Sequence, residues 1–357
     1  MSTYRLGVMR GDGIGPEIVQ ACITIFEQAL RLDGNVSCEL VECPMGLNAI
    51  RQYGSALPDE SRTLLKTCDA WIMGPHDNAS YPEAERKKHR NPSGELRHSF
   101  DLYANIRPSR ALPGIDALTP TMDLVIVREN TEEFYPDRNM VVGSGESMPT
   151  PDLALCTGVF TRRAATRIAQ TAFEMAQRRR KHVTIVHKAN VITLGYGLFI
   201  EACRAVAKDY PEVRVDDYHV DAMAAHLVRR AVDFDVVVTT NMLGDILSDL
   251  AAELAGSLGL APSINASETT AMAQAVHGSA PDIAGRGIAN PTGITLSLVM
   301  LLDWLAAKHR DAHLLTVARR IEQAVQRTYA DGIRTADLGG NTGTAAFTDA
   351  VIQRLNN

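Results

Sequence analysis

An α/β fold with a mainly parallel sheet is predicted by the way short β-rich runs alternate with long helical patterns along the 357 residues. Three pairs carry the prediction: "YRLGVM" before "PEIVQACITIFEQAL", "HVTIVH" before "LFIEACRAVAKDY", and "FDVVVTT" before "DILSDLAAEL". In each, a run with the apolar density of a buried strand gives way to the 3.6-residue periodicity of a helix. A chain of this length with 45% hydrophobic residues can bury a large core and is expected to form two domains. No repeat, low-complexity tract or linker divides it, so the domains are expected to interleave. The texture changes from Met140 to Phe160, where "MVVGSGESMPTPDLALCTGVF" has extended segments without a long helix and reads as an arm or a hairpin insertion.

The 36 basic and 42 acidic residues leave a net charge of −6, which argues against nucleic acid or an anionic membrane as the main partner. Apolar stretches break off well before the roughly 18 residues of a membrane span, and "MSTYRLGVMRGDG" lacks a signal-peptide core, so a cytoplasmic location is expected. Six scattered cysteines form no CxxC or compact framework and are read as reduced, mostly buried thiols.

The chemistry is foreshadowed by "NMLGDILSDLAAEL", in which Asp245 and Asp249 stand four residues apart on a helix that follows a buried strand. That spacing puts both on one face near the helix N-terminus, where the helix dipole offsets part of their repulsion. Two solvated first-turn acids would look the same. A third acid, Asp221 in "YHVDAMAAHLV", also follows a strand and opens a helix. Three carboxylates at strand exits suit a hard cation such as Mg²⁺ or Mn²⁺. His219 and His226 make zinc a weaker alternative.

Basic residues are placed just as selectively. "GELRHSFDLYANIRPSR" supplies Arg97 and Arg107, and "DLVIVRENTEEFY" ends a strand with Arg128 and places Tyr135 seven residues on. Guanidinium forks match carboxylates two hydrogen bonds at a time, so three of them beside a carboxylate–metal site point to a small polyanionic substrate. Each alone would be read as a surface ion pair. In "TIVHKANVITL", Lys188 ends a buried strand, where desolvation and nearby cations are expected to lower its pKa toward proton transfer; a snorkelling structural lysine is the alternative.

Two glycine-rich stretches remain. "MRGDGIGPEIVQ" turns from strand to helix with Pro16 in the first turn, yet Gly11, Gly13 and Gly15 do not make GxGxxG, so a nucleotide site there has weak support. "AVHGSAPDIAGRGIANPTG" is a loop able to wrap a nucleotide, or an ordered surface loop.

Taken in order, "GDGIGPE", "LYANIRP", "VIVRENTE", "VHKAN", "NMLGDILSDLAAELAGSLGLAPS" and "HGSAPDIAGRGIANPTG" make the chain resemble, over essentially its whole length, the β-decarboxylating dehydrogenases that act on isopropylmalate, homoisocitrate, isocitrate or tartrate. The resemblance implies a two-domain α/β subunit with a mixed, mainly parallel sheet rather than a classical Rossmann fold. One domain would comprise residues 1–101 plus 253–357 and bind cofactor. The other, 102–252, would hold substrate and metal and form a homodimer through the arm near 140–160.

The resemblance also implies a mechanism for a (2R)-malate-type 2-hydroxy acid bearing a 3-carboxylate. Asp245 and Asp249 of one subunit and Asp221 of its partner would hold Mg²⁺ or Mn²⁺ against the 2-hydroxyl and its neighbouring carboxylate. Arg97, Arg107 and Arg128 would grip carboxylates, with Ser93 and Asn190 as further substrate contacts. Lys188 from the partner would assist removal of the hydroxyl proton as hydride passes to the nicotinamide, and Tyr135 would protonate the product after CO₂ is lost. For the cofactor, the resemblance points to NAD, walled by Gly74, His277, Gly278, Ser279, Ala280 and Asn290, with Asp282 accepting from the adenosine ribose and repelling a 2′-phosphate.

The C3 substituent is left open. The segment "NPSGEL" has Gly94 where homoisocitrate enzymes carry arginine, and neither Ser93 nor Gly94 offers an apolar wall for isopropyl. Asn91 and Ser93 fall at isocitrate-contact positions with the residue types exchanged. "VDAM" is similar to tartrate- and malate-type members, and "MGPHDNASYP" departs from the family's glycine-rich turn. Two other classes compete: a non-catalytic regulatory paralogue, opposed by the presence of Lys188, Tyr135 and all three aspartates, and the 4-phosphohydroxythreonine dehydrogenases, which share the fold but ligate zinc with histidines.

Overall fold

The computed structural model describes residues 2–88, 90–135, 140, 141 and 143–356, with 87 and 88 described by backbone alone. Twelve strands are present among them. The first five are β1 (Ser2–Met9), β2 (Val36–Glu42), β3 (Ala70–Met73), β4 (Ala104–Arg110) and β5 (Asp123–Glu129). The next four are β6 (Glu146–Thr150), β7 (Leu153–Cys156), β8 (His182–His187) and β9 (Arg214–His219). The last are β10 (Val236–Thr239), β11 (Ile264–Ala266) and β12 (Ala271–Ala273).

Ten strands make one sheet in the order β2-β1-β3-β12-β11-β4-β5-β10-β8-β9. The block β2-β1-β3-β12 is parallel, as is β5-β10-β8-β9, and three antiparallel pairings through β11 and β4 join the blocks so that they run in opposite directions. The fold is therefore α/β with a mixed, mainly parallel sheet.

The strands read as continuous apolar runs because both faces are covered by helices. Alternate residues of β5 show this. Val125 and Val127 pack with Ile168, Phe173 and Phe199 of helices Arg162–Gln177 and Thr193–Ala207. Leu124 and Ile126 face the other way, toward Leu227 of helix Val220–Arg230 and Leu247 and Ala251 of helix Asn241–Ala255. A separate cluster joins Leu6 and Val8 of β1 to helices Gly15–Asp33, Thr292–His309 and Ala312–Ala330.

The segment 140–160, whose residue 142 lies outside the described set, resolves as a hairpin: β6 and β7 pair antiparallel in a sheet of their own, with Glu146 opposite Cys156. Every residue of both strands is exposed. All six cysteines are free; three are buried, and Cys156 on the hairpin is exposed.

Candidate active site

Helix Asn241–Ala255 follows β10 and presents Asp245 and Asp249 one turn apart, as the sequence predicts. What faces them is cationic. Arg107 from β4 donates through one Nη to Asp245 at 3.2 Å and to Asp249 at 3.3 Å, while Arg128 from β5 forms an ion pair with Asp245. The Tyr135 hydroxyl donates to the other Asp245 oxygen at 2.8 Å. β4 and β5 are antiparallel neighbours with Asn105 opposite Arg128, which brings the two guanidinium groups to one place.

The two carboxyls differ electrostatically. Burial opposes the charge on Asp245, but Arg128, Arg107 and the Tyr135 hydroxyl outweigh it and hold the carboxyl below the usual range. At Asp249 burial prevails over Arg107, and the neighbouring Asp245 charge adds to it, so that carboxyl is raised. Burial, with Arg128 nearby, pushes Arg107 down to about 10, so it remains a cation at neutral pH.

The supports of the arginines are legible only in three dimensions. Arg128 is 1% exposed, and its Nε and Nη2 both donate to Asn241 Oδ1, at 3.0 and 2.7 Å. Arg107 donates to Asn105 Oδ1 at 2.6 Å and Ser248 Oγ at 2.7 Å. Glu133, at 0% exposure with φ of 75°, accepts from the Tyr196 hydroxyl and from Met242 N, capping the helix that carries the aspartates. Two more buried acids lie beside it: Glu132, pushed up to about 7 by burial and by Glu129, and Glu129 itself, raised by burial. The sequence reading assigned none of these supports; their signal lies within "RENTEE" and "TTNMLGD", where polar residues interrupt otherwise apolar surroundings.

Gly244 makes the arginine packing feasible, since a Cβ there would lie 2.6 Å from Arg128 Cγ and 2.8 Å from its Cβ. Those atoms cannot swing away without moving the guanidinium. Gly244→Ala is expected to cut kcat/KM by roughly 10–100-fold with little loss of secondary structure. Unaltered kinetics would show that the Arg128 position is not critical.

Arg97 belongs to the same site by a different route. It lies on helix Pro92–Ser99, donates to Gln274 at 3.2 Å and exerts its charge on Asp245. Ser93, one turn earlier, shares its face and is buried.

Lys188 and Asp221 are elsewhere. They form an ion pair with each other across the ends of β8 and β9, and Lys188 holds the Asp221 carboxyl below its usual range. The expected cationic surroundings of Lys188 are thus corrected: its partner is an anion, brought there because Asp221 opens the helix after the neighbouring strand. Asn190, two residues on, is exposed. Among the described residues, no three His, Cys, Asp or Glu side chains gather as a metal site within the chain. The His226 ring packs against Tyr218 and Phe234 and the His219 ring against His187, and neither gathers with two further possible ligands among the described residues, so the zinc alternative gains no support within the chain. Asp245 and Asp249 supply two hard oxygen donors with side chains 39% and 51% exposed, a fit to part of a Mg²⁺ or Mn²⁺ shell.

The "GDGIG" turn is structural. Gly11 (φ +74°) is held where a Cβ would lie 2.1 Å from Pro75 O, and Ile14 N donates to Ser279 O at 2.8 Å. Asp12 accepts from Leu47 N, Asp77 N and the Tyr81 hydroxyl at 2.7, 3.0 and 2.6 Å. These contacts tie the loops after β3 and β12 to β1 and use the groups a phosphate would need. Gly74 is packed against Arg10 O, which a Cβ would approach to 2.2 Å.

In the loop after β12, Ser279 is buried, Gly278 and Asp282 are exposed, and Ala280 has φ of 37°. His277 Nδ1 lies 3.0 Å from Gly278 O, while its Nε2 is buried with no hydrogen-bond partner. An orphaned ring nitrogen beside an open loop fits a nucleobase or ribose group completing it. The Asn290 amide instead serves the fold, donating to Asp337 at 3.0 Å and accepting from Thr292 N and the Tyr329 hydroxyl.

The model of the isocitrate/isopropylmalate dehydrogenase family matches residues 5–351. The chain belongs to this family. It is 42% identical to the isocitrate/homoisocitrate dehydrogenase of Thermus thermophilus over 99% of this chain and 98% of that protein. It is also 42% identical to the 3-isopropylmalate dehydrogenase of Archaeoglobus fulgidus, over 99% of each. Among solved structures, the isocitrate dehydrogenase from Methylococcus capsulatus superposes with a TM-score of 0.87 at 37% identity, covering 99% of this chain and all of that one. The relatives are dehydrogenases, so this family member is an oxidoreductase; their names differ in the acid oxidised. No helix among the described residues is long and apolar enough to cross a membrane.

Proposed function

We propose that the protein catalyses NAD- and divalent-metal-dependent oxidative decarboxylation of a (2R)-malate-type acid carrying a 3-carboxylate, in a cytoplasmic homodimer with shared sites. The observation that carries this reading is the convergence of Arg107, Arg128 and Tyr135 on Asp245. Arg97, Arg107 and Arg128 neutralise and orient the substrate carboxylates; Arg107 and Arg128 are already held by Asn105, Ser248 and Asn241, so little ordering accompanies binding. Tyr135 holds its proton at the edge of this cluster, where it protonates the product carbon. Asp245 and Asp249, with Asp221 of a second copy, would hold Mg²⁺ or Mn²⁺, which would supply a Lewis acid for the 2-oxygen, and NAD would supply the hydride acceptor.

Shared sites are supported by where apolar surface is left uncovered. Of the twelve exposed large hydrophobic residues among the described ones, nine fall from Val141 onward: Met148, Leu153 and Leu155 on the hairpin, Val191 and Leu194 beside Lys188, Val228 and Val232 near Asp221, Ile246 beside Asp245, and Val141 itself. Both halves of the site thus border the surface that a second copy would bury. A two-stranded hairpin exposed on both faces is also marginal alone.

Asp282, exposed on the cofactor loop, would accept from ribose hydroxyls and repel a 2′-phosphate. NAD is expected to exceed NADP in kcat/KM by at least about tenfold; comparable values would contradict this role. The whole reading is tested by following NADH and CO₂ release from the candidate acids after chelation and after adding back Mn²⁺ or Zn²⁺. Activity restored by Zn²⁺ alone would favour the phosphohydroxythreonine-type chemistry instead.

A further inference from the structure

His187 is the last residue of β8 and Lys188 the next one along, yet the two side chains serve opposite faces of the sheet. His187 shares its face with Val183 and Ile185, toward helix Thr193–Ala207, whereas Lys188 meets Asp221 at the start of helix Val220–Arg230. The peptide unit that joins Lys188 to Ala189 is pinned at both ends. Its carbonyl accepts from Val191 N and Ile192 N, each at 3.0 Å, and its N–H donates to His187 Nδ1 at 3.2 Å.

A backbone N–H can only donate, so Nδ1 must keep its lone pair and the ring hydrogen sits on Nε2. Nε2 lies 3.2 Å from Asp217 Oδ2, and Asp217 forms an ion pair with Arg204 of helix Thr193–Ala207. Burial pushes His187 below its ordinary range against the pull of Asp217, which keeps the ring neutral and Nδ1 free to accept. The ring itself is 4% exposed and edge-on to His219. A chain of contacts thus runs from Arg204 through Asp217 and His187 to the backbone beside Lys188.

That backbone has to be held, because the lysine side chain is long and its pair with Asp221 is too open to fix it. The two side chains are 28% and 68% exposed, and a pair so solvated contributes little. The direction of Lys188 is set instead by its main chain. Before it, the β8–β9 ladder places His187 opposite His219; after it stands the peptide unit held by Nδ1.

We infer that His187, braced by Asp217 and Arg204, is a positioning residue for Lys188 and aims its amine for proton transfer. The inference rests on the dehydrogenase reading above and adds the group on which the place of Lys188 depends.

The test measures kcat and KM separately for wild type, Lys188→Ala, His187→Leu, His187→Asn and Asp217→Ala with the acid that wild type oxidises fastest. Leucine fills the space without an acceptor and should lower kcat by roughly 10–100-fold. KM for the acid should change by less than about threefold, since Arg97, Arg107 and Arg128 belong to the other cluster. Asparagine can accept from the N–H two residues on, as in an Asx turn, and should bring kcat back to within about threefold of wild type. Asp217→Ala should cost roughly tenfold in kcat and serves as the check if the leucine variant does not fold. Acetylation of Lys188, followed by peptide mass spectrometry, should quicken about two- to fivefold with leucine and not with asparagine, as the pair with Asp221 loosens. If Lys188→Ala is inactive while the leucine and Asp217 variants keep wild-type kcat, or while asparagine is as slow as leucine, the inference alone is overturned. An active Lys188→Ala, or a wild type that oxidises none of the candidate acids, would overturn the dehydrogenase reading of this lysine and the inference with it.

Discussion

Asp245→Asn will abolish metal-dependent turnover, with a loss of roughly a thousandfold or more, and will leave the fold intact. The amide keeps the shape and one oxygen but removes the charge that would bind Mn²⁺ and that now faces Arg107 and Arg128. Some stability should be lost, because those guanidinium groups are buried and lose an anionic partner. The loss is limited by their other acceptors, Asn241, Asn105, Ser248 and Asp249, and should be about 1–3 kcal/mol. Circular dichroism and a melting curve check the fold, and initial rates across a Mn²⁺ titration check the metal. Turnover unchanged at limiting Mn²⁺ would remove Asp245 from the metal site.

A second large effect is expected from mixing two inactive proteins. Lys188→Ala removes the lysine paired with Asp221, and Asp245→Asn removes the carboxylate of the other cluster. If a site draws Lys188 and Asp221 from one subunit and Asp245 and Asp249 from the other, a mixed dimer contains one site with both lesions and one with neither. Random exchange of equal amounts makes half of the dimers mixed, so activity should return to about a quarter of wild type. Exchange is verified by native mass spectrometry. No recovered activity after verified exchange would mean that each subunit completes its own site, and the division between the two clusters would need another explanation.

Much of the site is legible in sequence because its parts are local. Asp245 and Asp249 declare a shared helix face by their spacing, and Arg128 and Lys188 declare themselves by standing at the ends of runs too apolar to be anything but buried strands. The groups that hold them are not legible. Asn241, Ser248 and Asn105 lie far in sequence from the arginines they fix or have residue types common in loops, and Glu133 looks like one acid among three in "RENTEEF". The glycine turn at Gly11 shows the opposite failure, since a phosphate-binding reading and a close backbone contact ask for the same residue.

By itself the sequence determined the alternation of strands and helices, the identity of the charged residues at strand exits and the separateness of the 140–160 segment. Periodicity reports which side of an element is buried, and these features depend on nothing more. Only the tertiary structure decided that the two parallel blocks run in opposite directions through β11 and β4, that Arg107 and Arg128 meet at Asp245, and that Lys188 and Asp221 pair apart from them. The physical reason is that burial is a property of one segment, whereas strand order and charge pairing join residues more than a hundred positions apart, as between Arg128 and Asp245, and no local pattern encodes the partner.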